Sequence, residues 1–124
     1  MGFSKKLADL LRKRFDEPAK QTEIDEEIET NFRRDSAIII TYLSRSTVLT
    51  REKGIIHFLS VVQRFRDLIT PVLEKYHGHV AKWEGDSSFL VFNDATSALQ
   101  FALEARKTCD TYNETSPEDQ KILL

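Results

Sequence analysis

The chain has 124 residues, 40% of them hydrophobic, and a formal net charge of −2. This content suits one small globular domain with an appended segment, and the charge balance predicts no general affinity for nucleic acid. No apolar run is long enough to span a membrane and the N-terminus lacks a signal-peptide core, so we expect a cytoplasmic protein. The lone Cys109 is then expected to be a structural or surface thiol.

Residues 1–34 are predicted to form a charge-dense helical segment without strands. Its first helix is basic and amphipathic, with these apolar residues at helical spacing: Phe3, Leu7, Leu10, Leu11 and Phe15. Pro18 ends this helix, and an acidic helix follows with Thr22 as its N-cap. We expect the segment to pack on the domain or to pair two copies of the chain. An anionic membrane surface is disfavoured because the apolar stripe is narrow.

The globular part, residues 35–124, begins with the β-prone run Ala37–Leu43, which predicts a strand covered on both faces. The polar stretch Ser44–Arg51 is predicted to be a loop. Apolar residues then recur at helical spacing from residue 55 to residue 73. Pro71 is expected to kink this helix or to end it and start a new one, because proline lacks a backbone donor.

Two further β-prone runs flank Glu84-Gly85-Asp86, whose residues favour a tight reversal. The pattern predicts a β-hairpin that presents Asp86 at its tip. A carboxylate held there suits a hard divalent cation bridged to phosphate oxygens. A turn that binds nothing is the alternative, since Gly-Asp turns are common.

After the hairpin, Asn93-Asp94 predicts the start of a helix that places Leu99 and Phe101 in the core. The residues Lys121–Leu124 are predicted to open a further strand. The resulting order of strand, helix, strand, strand, helix, strand is typical of an α+β, ferredoxin-like fold, with both helices on one face of an antiparallel sheet. Because this last strand is so short, it would leave a sheet edge unfilled. We therefore expect either that the chain is a fragment or that another chain covers that edge.

The segment Lys82–Asp86 resembles a Lys-Phe-Ile-Gly-Asp hairpin, and it is preceded by a long helix ending at Tyr76–Val80 and followed by the helical run Asp94–Leu103. In order and spacing, these features resemble the first half of a class III nucleotidyl cyclase domain, the family of the adenylate and guanylate cyclases. The resemblance covers most of the globular part. It implies the ferredoxin-like fold and a role in cyclic-nucleotide signalling.

The resemblance also implies site residues. Asp86 corresponds to one of two carboxylates that hold paired Mg²⁺ or Mn²⁺ ions, and Lys82 to the residue that contacts the purine base. A lysine at that position suits adenine, whose ring nitrogen accepts a hydrogen bond, so ATP is the implied nucleotide. Glu84 replaces the family's apolar residue and adds negative charge beside the turn. The alternative for Lys82 is an exposed strand lysine whose stem packs on the sheet.

The chain departs from the family at the first metal position. The family's spacing places that carboxylate at Tyr42, and neither Leu43 nor Ser44 beside it is acidic. One carboxylate and substrate phosphates can still hold Mg²⁺, but the two-metal arrangement is weakened. The family's later Asn and Arg residues, which orient ribose and stabilise developing charge, have no counterpart in this sequence. We therefore assign no catalytic residue and do not expect the chain to cyclise ATP by itself.

Two functions follow from the sequence. The favoured one is a non-catalytic cyclase-like domain that pairs with a second copy or with another cyclase domain. The alternative is an adenylate cyclase completed by further C-terminal sequence or by a partner chain. The loss at residues 42–44 favours the first, because it lies inside the part of the domain that is present. RNA binding is not expected, since no strand shows an aromatic and basic pattern.

Overall fold

The computed structural model describes residues 4–124. Its helices and strands, in chain order, are α1 Lys5–Asp16, α2 Gln21–Phe32, β1 Ala37–Tyr42, α3 Ser46–Lys53, α4 Ile55–Lys75, β2 His79–Glu84, β3 Ser87–Phe92 and α5 Ala95–Glu114. Short 3₁₀ turns lie at Pro18–Lys20 and Glu118–Gln120. The chain divides into two compact units, Met1–Asp35 and Ser36–Leu124.

The first unit contains the two helices that the sequence predicts on either side of Pro18. The Ser4 side chain caps α1 by accepting a hydrogen bond from the Leu7 amide at 3.2 Å. The guanidinium of Arg14 donates to both carboxylate oxygens of Asp25, which joins α1 to α2. The prediction that Thr22 caps the second helix is wrong, because α2 begins at Gln21 and Thr22 lies in its first turn. Phe3 lies outside the described residues.

The second unit is built on a three-stranded antiparallel sheet in the order β1-β3-β2. The β2–β3 hairpin forms as predicted: Glu84 pairs with Ser87, and Gly85-Asp86 is the two-residue turn between them. Gly85 has a φ of 56°, the left-handed conformation that glycine adopts without steric penalty. Asp86 is therefore fixed at the tip by strand pairing on both sides.

Side chains of β3 alternate between a covered and an uncovered face of the sheet. Ser88, Leu90 and Phe92 are buried on the face against the helices. The core joins this strand to Leu43 just after the end of β1, to α4 and α5, and to Ile122 near the C-terminus. From the two helices it includes Val61, Val62, Phe65, Ile69, Val72, Leu73, Ala98, Phe101, Ala105 and Cys109. The rings of Phe92 and Phe101 lie 5.1 Å apart between centroids. The α+β class is as predicted.

The opposite face of the sheet is uncovered within this unit, and we call it the open sheet face. On β1 it carries Ile38, Ile40 and Tyr42, which are 64%, 49% and 61% exposed. Their partners on β3 are Val91, Phe89 and Ser87. The prediction that the first strand is covered on both faces is therefore wrong for this chain, since both long helices lie on the other side.

The long helix runs without interruption through Pro71. The Thr70 hydroxyl donates to the Arg66 carbonyl at 2.6 Å, in the turn that precedes the proline. A new helix start after Thr70, one of the two outcomes predicted, is thus not observed.

The polar stretch Ser44–Arg51 was predicted to be a loop. Most of it instead lies in α3.

The predicted last strand is wrong, because residues 121–124 adopt no strand. Both backbone groups of Ile122 are held by the Asn113 side chain, at 2.7 Å each, and are not available to a neighbouring strand. A single bond at 2.6 Å joins the Ser44 amide to the Leu123 carbonyl beyond the end of β1. Among the described residues the sheet has three strands, and the fourth strand of a ferredoxin-like arrangement is not formed.

Candidate functional site

Asp86, the predicted metal ligand, is half-buried at the hairpin tip. The hydroxyl of Ser46 donates to its Oδ2 atom at 2.7 Å. Ser46 is the first residue of α3, so the tip of the hairpin meets the start of that helix. An open groove surrounds this contact and is lined by Ser46, Thr47, Thr50, Arg51, Phe58, Gly85 and Asp86.

Lys82, the residue predicted to contact a base, lies on the open sheet face opposite Phe89. Its Nζ atom is 2.9 Å from the Glu84 carboxylate and 4.8 Å from the centroid of the Phe89 ring. The ammonium group is therefore already paired with an anion from its own strand. Between residues 4 and 124, no direct ion pair joins Lys82 to Asp86, although both belong to one hairpin.

The predicted first metal position has no carboxylate in the structure. Tyr42 projects from the open sheet face, Leu43 is buried in the core, and the Ser44 amide bonds the C-terminal segment. No cluster of three or more His, Cys, Asp or Glu residues able to hold a metal occurs within the described residues 4–124.

The donor set at the tip decides how well a metal would fit. It consists of the Asp86 carboxylate and nearby hydroxyls, and the Asp86 oxygen Oδ2 already accepts from Ser46. Paired metal ions need more anionic ligands than this set supplies. A single Mg²⁺ that keeps its waters and binds substrate phosphates can be held through one carboxylate. The residues therefore offer a single cation one carboxylate and do not fit a two-metal centre.

Two contacts near the hairpin have no counterpart in the sequence-based prediction. The first is the Ser46–Asp86 hydrogen bond, and the second is the guanidinium of Arg66, which lies 4.8 Å from the centroid of the Trp83 ring. Both join helices to the hairpin over long separations in sequence. The residues around Ser46 were predicted to form a polar loop, so the sequence did not indicate a contact with Asp86. The helical spacing of apolar residues likewise did not indicate that Arg66 lies against Trp83.

Cys109 is not part of this site. It is 1% exposed, and burial among apolar neighbours raises the pKa of its thiol to about 11, with the adjacent Asp110 as a second cause. Burial acts in this direction because it disfavours the charged thiolate, which is the nucleophilic form. Of the two predicted uses, the structure supports the structural thiol.

Comparison with known proteins finds similarity among solved structures. No protein-family model matches the chain, and no curated protein matches it. A solved structure of a bacterial light-regulated adenylyl cyclase superposes on 93% of this chain with a TM-score of 0.60 and 13% sequence identity. This chain shares that protein's fold over the matched region. It spans 40% of the length of that chain.

The likeness agrees with the α+β architecture and with the resemblance found at the hairpin. At this identity it establishes similarity of fold only, and the roles of Lys82 and Asp86 stay predictions.

Within residues 4–124, no helix is both long enough and apolar enough to cross a membrane.

Proposed function

We propose that this chain is an adenylate/guanylate cyclase-like domain of cyclic-nucleotide signalling that pairs with a second copy of itself and does not cyclise ATP alone. The hairpin motif Lys82–Asp86 and the fold shared with an adenylyl cyclase support this assignment. In this proposal the three strands form part of a ferredoxin-like sheet, whose fourth strand would lie beside β1. The cytoplasm is its proposed location.

The open sheet face is the observation that carries the proposal. Ile38, Ile40 and Tyr42 form a row of large side chains on β1 that are about half to two-thirds exposed. Clustered exposed apolar side chains are typical of interaction surfaces. The charges on the same face, Lys82 and Glu84, neutralise each other. The face is thus apolar and nearly uncharged, which suits a second copy of the same surface better than an ionic partner.

Three residues support the proposal that the chain does not catalyse the reaction alone. Tyr42 stands where a metal carboxylate is required, Asp86 is bonded by Ser46, and Lys82 is paired with Glu84. Paired metal ions need more anionic ligands than the single carboxylate of Asp86 supplies. With the first carboxylate missing, we therefore expect little activity.

The groove at the hairpin tip favours one alternative function. Its lining includes Arg51 and hydroxyl-bearing residues as well as Asp86, a combination that suits phosphate oxygens and one cation. An adenylate cyclase completed by further sequence or by a partner chain would use Asp86 for Mg²⁺ or Mn²⁺. Lys82 would then contact the adenine of ATP.

Calorimetric titration with a non-hydrolysable ATP analogue and Mn²⁺ separates the two functions. The chain is compared with Asp86→Ala, and Glu84→Gln is the matched control because it removes the other carboxylate near the turn. The proposal predicts no metal-dependent binding to any of the three proteins. Binding to the unchanged chain and to Glu84→Gln that is lost in Asp86→Ala would favour the alternative.

A further inference from the structure

We propose that Asp86 anchors the start of helix α3 to the hairpin tip through the Ser46 side chain and that this clasp holds the two elements together without a cation. The clasp is defined here as the hydrogen bond from the Ser46 hydroxyl to the Asp86 carboxylate. It gives the acid at the family's metal position a structural role in this chain.

Helix α3 needs support from outside its own sequence. It has eight residues, and none of them is fully buried. Leu49 packs against the core only as a partly buried side chain. Isolated helices of this length are marginal in water because each has few hydrogen bonds to offset its nucleation. The stability of α3 therefore depends on its contacts with α4 and with the hairpin.

The start of α3 has no cap of its own. The N-cap residue is Arg45, whose side chain makes no capping hydrogen bond and whose φ is 64°. Arginine offers no acceptor to the unpaired amides of the first turn, and its positive charge is unfavourable at the positive end of the helix dipole. The first turn thus lacks the anionic or hydroxyl acceptor found at most helix starts.

Asp86 places an anionic group near that helix start. Its Oδ2 atom accepts from the side-chain hydroxyl of Ser46, the first residue of the helix, at 2.7 Å. Ionised acceptors form stronger hydrogen bonds than neutral ones, and a carboxylate beside a helix N-terminus is stabilised by the dipole. Asp86 is half-buried, so solvent screens this attraction less than at an open surface.

The clasp also bears on metal binding. A cation that coordinates Asp86 through Oδ2 would compete with Ser46 for the same oxygen, and its binding would weaken the contact between hairpin and helix. The inference rests on the proposed function only in taking Asp86 as the family's metal position. The hydrogen bond itself lies within the second unit and does not involve the open sheet face.

Unfolding in the presence of EDTA tests the clasp. We would measure Ser46→Ala, Asp86→Ala and the double variant, with Glu84→Gln as a control that changes the charge beside the turn and keeps the clasp. Each single variant is expected to raise the unfolding equilibrium constant about tenfold, as loss of a hydrogen bond to a charged group commonly does. The double variant should be no worse than Asp86→Ala, because both changes remove one interaction. Glu84→Gln removes only the exposed ion pair with Lys82, so it should change the constant by less than about threefold.

Hydrogen exchange gives a local readout that global stability does not. Amides of α3 should lose protection in Ser46→Ala and Asp86→Ala under native conditions, while the amides of β3 keep theirs. Unchanged α3 protection, or Asp86→Ala as stable as the unchanged chain in EDTA, would overturn the clasp.

Added Mg²⁺ separates the clasp from a metal site. Millimolar Mg²⁺ should leave the stability of the unchanged chain as it is in EDTA. Stabilisation of the unchanged chain but not of Asp86→Ala would show that Asp86 binds a cation and would contradict the cation-independent role. All variants are compared at one protein concentration, because pairing would add to the measured stability. The oligomeric state, measured separately by sedimentation, distinguishes failure of the proposed pairing from failure of the clasp.

Discussion

Phe101 and Leu99 lie two residues apart on α5 and differ sharply in burial. Phe101 is 1% exposed and packs against Phe92, whereas Leu99 is 61% exposed. The helical pattern predicts both in the core, and for Leu99 that prediction is wrong. Apolar residues surround both positions, so the pattern alone did not define which side of the helix faces the sheet.

Truncation of these two side chains should therefore have unequal effects. Phe101→Ala is expected to lower the free energy of unfolding by about 3 to 5 kcal/mol, because it removes buried contacts and leaves a cavity. Leu99→Ala should change it by less than about 0.5 kcal/mol, as is usual at exposed positions. Urea denaturation measures both. A larger loss in Leu99→Ala would contradict the helix orientation described here.

At the candidate site, the sequence predicts where single residues lie but not which residues they contact. The hairpin motif correctly located Asp86 at a turn and Lys82 on a strand. It did not reveal that Ser46 bonds Asp86 or that Glu84 pairs with Lys82. The first contact joins residues 40 positions apart, and such contacts depend on how α3 packs, which local sequence does not specify.

At the scale of elements, α4 and α5 are joined by an ion pair on their surface. Lys75 Nζ lies 2.6 Å from Glu104 Oε1, and the Tyr76 hydroxyl donates to the same oxygen at 3.3 Å. The hydrogen bond from Lys75 is the main cause that lowers the pKa of Glu104 and, reciprocally, Glu104 raises the pKa of Lys75. The pair therefore contributes to stability while both groups are charged.

This pair predicts a pH dependence. The pKa of Glu104 is lower in the folded than in the unfolded chain, so its contribution is present above the unfolded value of about 4.3 and is lost as the pH falls through the folded pKa. Glu104→Gln should flatten the fall in stability with acid. Glu114→Gln, an exposed acid on the same helix, is the control. Identical acid profiles for Glu104→Gln and the unchanged chain would count against the pair.

Elements with strong local signals were predicted well. The strand β1, the β2–β3 hairpin, α4 and α5 follow from β-branched runs, turn residues and apolar periodicity. Helix α3 was missed because its residues are polar and its stability depends on contacts with α4 and the hairpin. The last strand was predicted from apolar residues, yet Ile122 enters the core and its backbone is held by Asn113.

At the scale of the whole molecule, the open sheet face is an apolar surface that the second unit leaves exposed. Burial of a large aliphatic side chain contributes about 1.5 to 3 kcal/mol when it is complete, and Ile38, Ile40 and Tyr42 are still largely exposed. Sheet formation was predictable from the sequence. The absence of a covering layer was not, because a continuous β-prone run looks the same whether its second face packs within the chain or against another copy.

Sedimentation velocity of Ile40→Asp tests pairing through the open sheet face most directly. Leu99→Asp is the matched control, because it places the same charge at a similarly exposed leucine on the helical side of the domain. The account predicts that the unchanged chain and Leu99→Asp sediment as dimers and that Ile40→Asp sediments as a monomer with an unchanged circular dichroism spectrum. A folded Ile40→Asp that remains dimeric, or an unchanged chain that is monomeric at every concentration, would contradict the account.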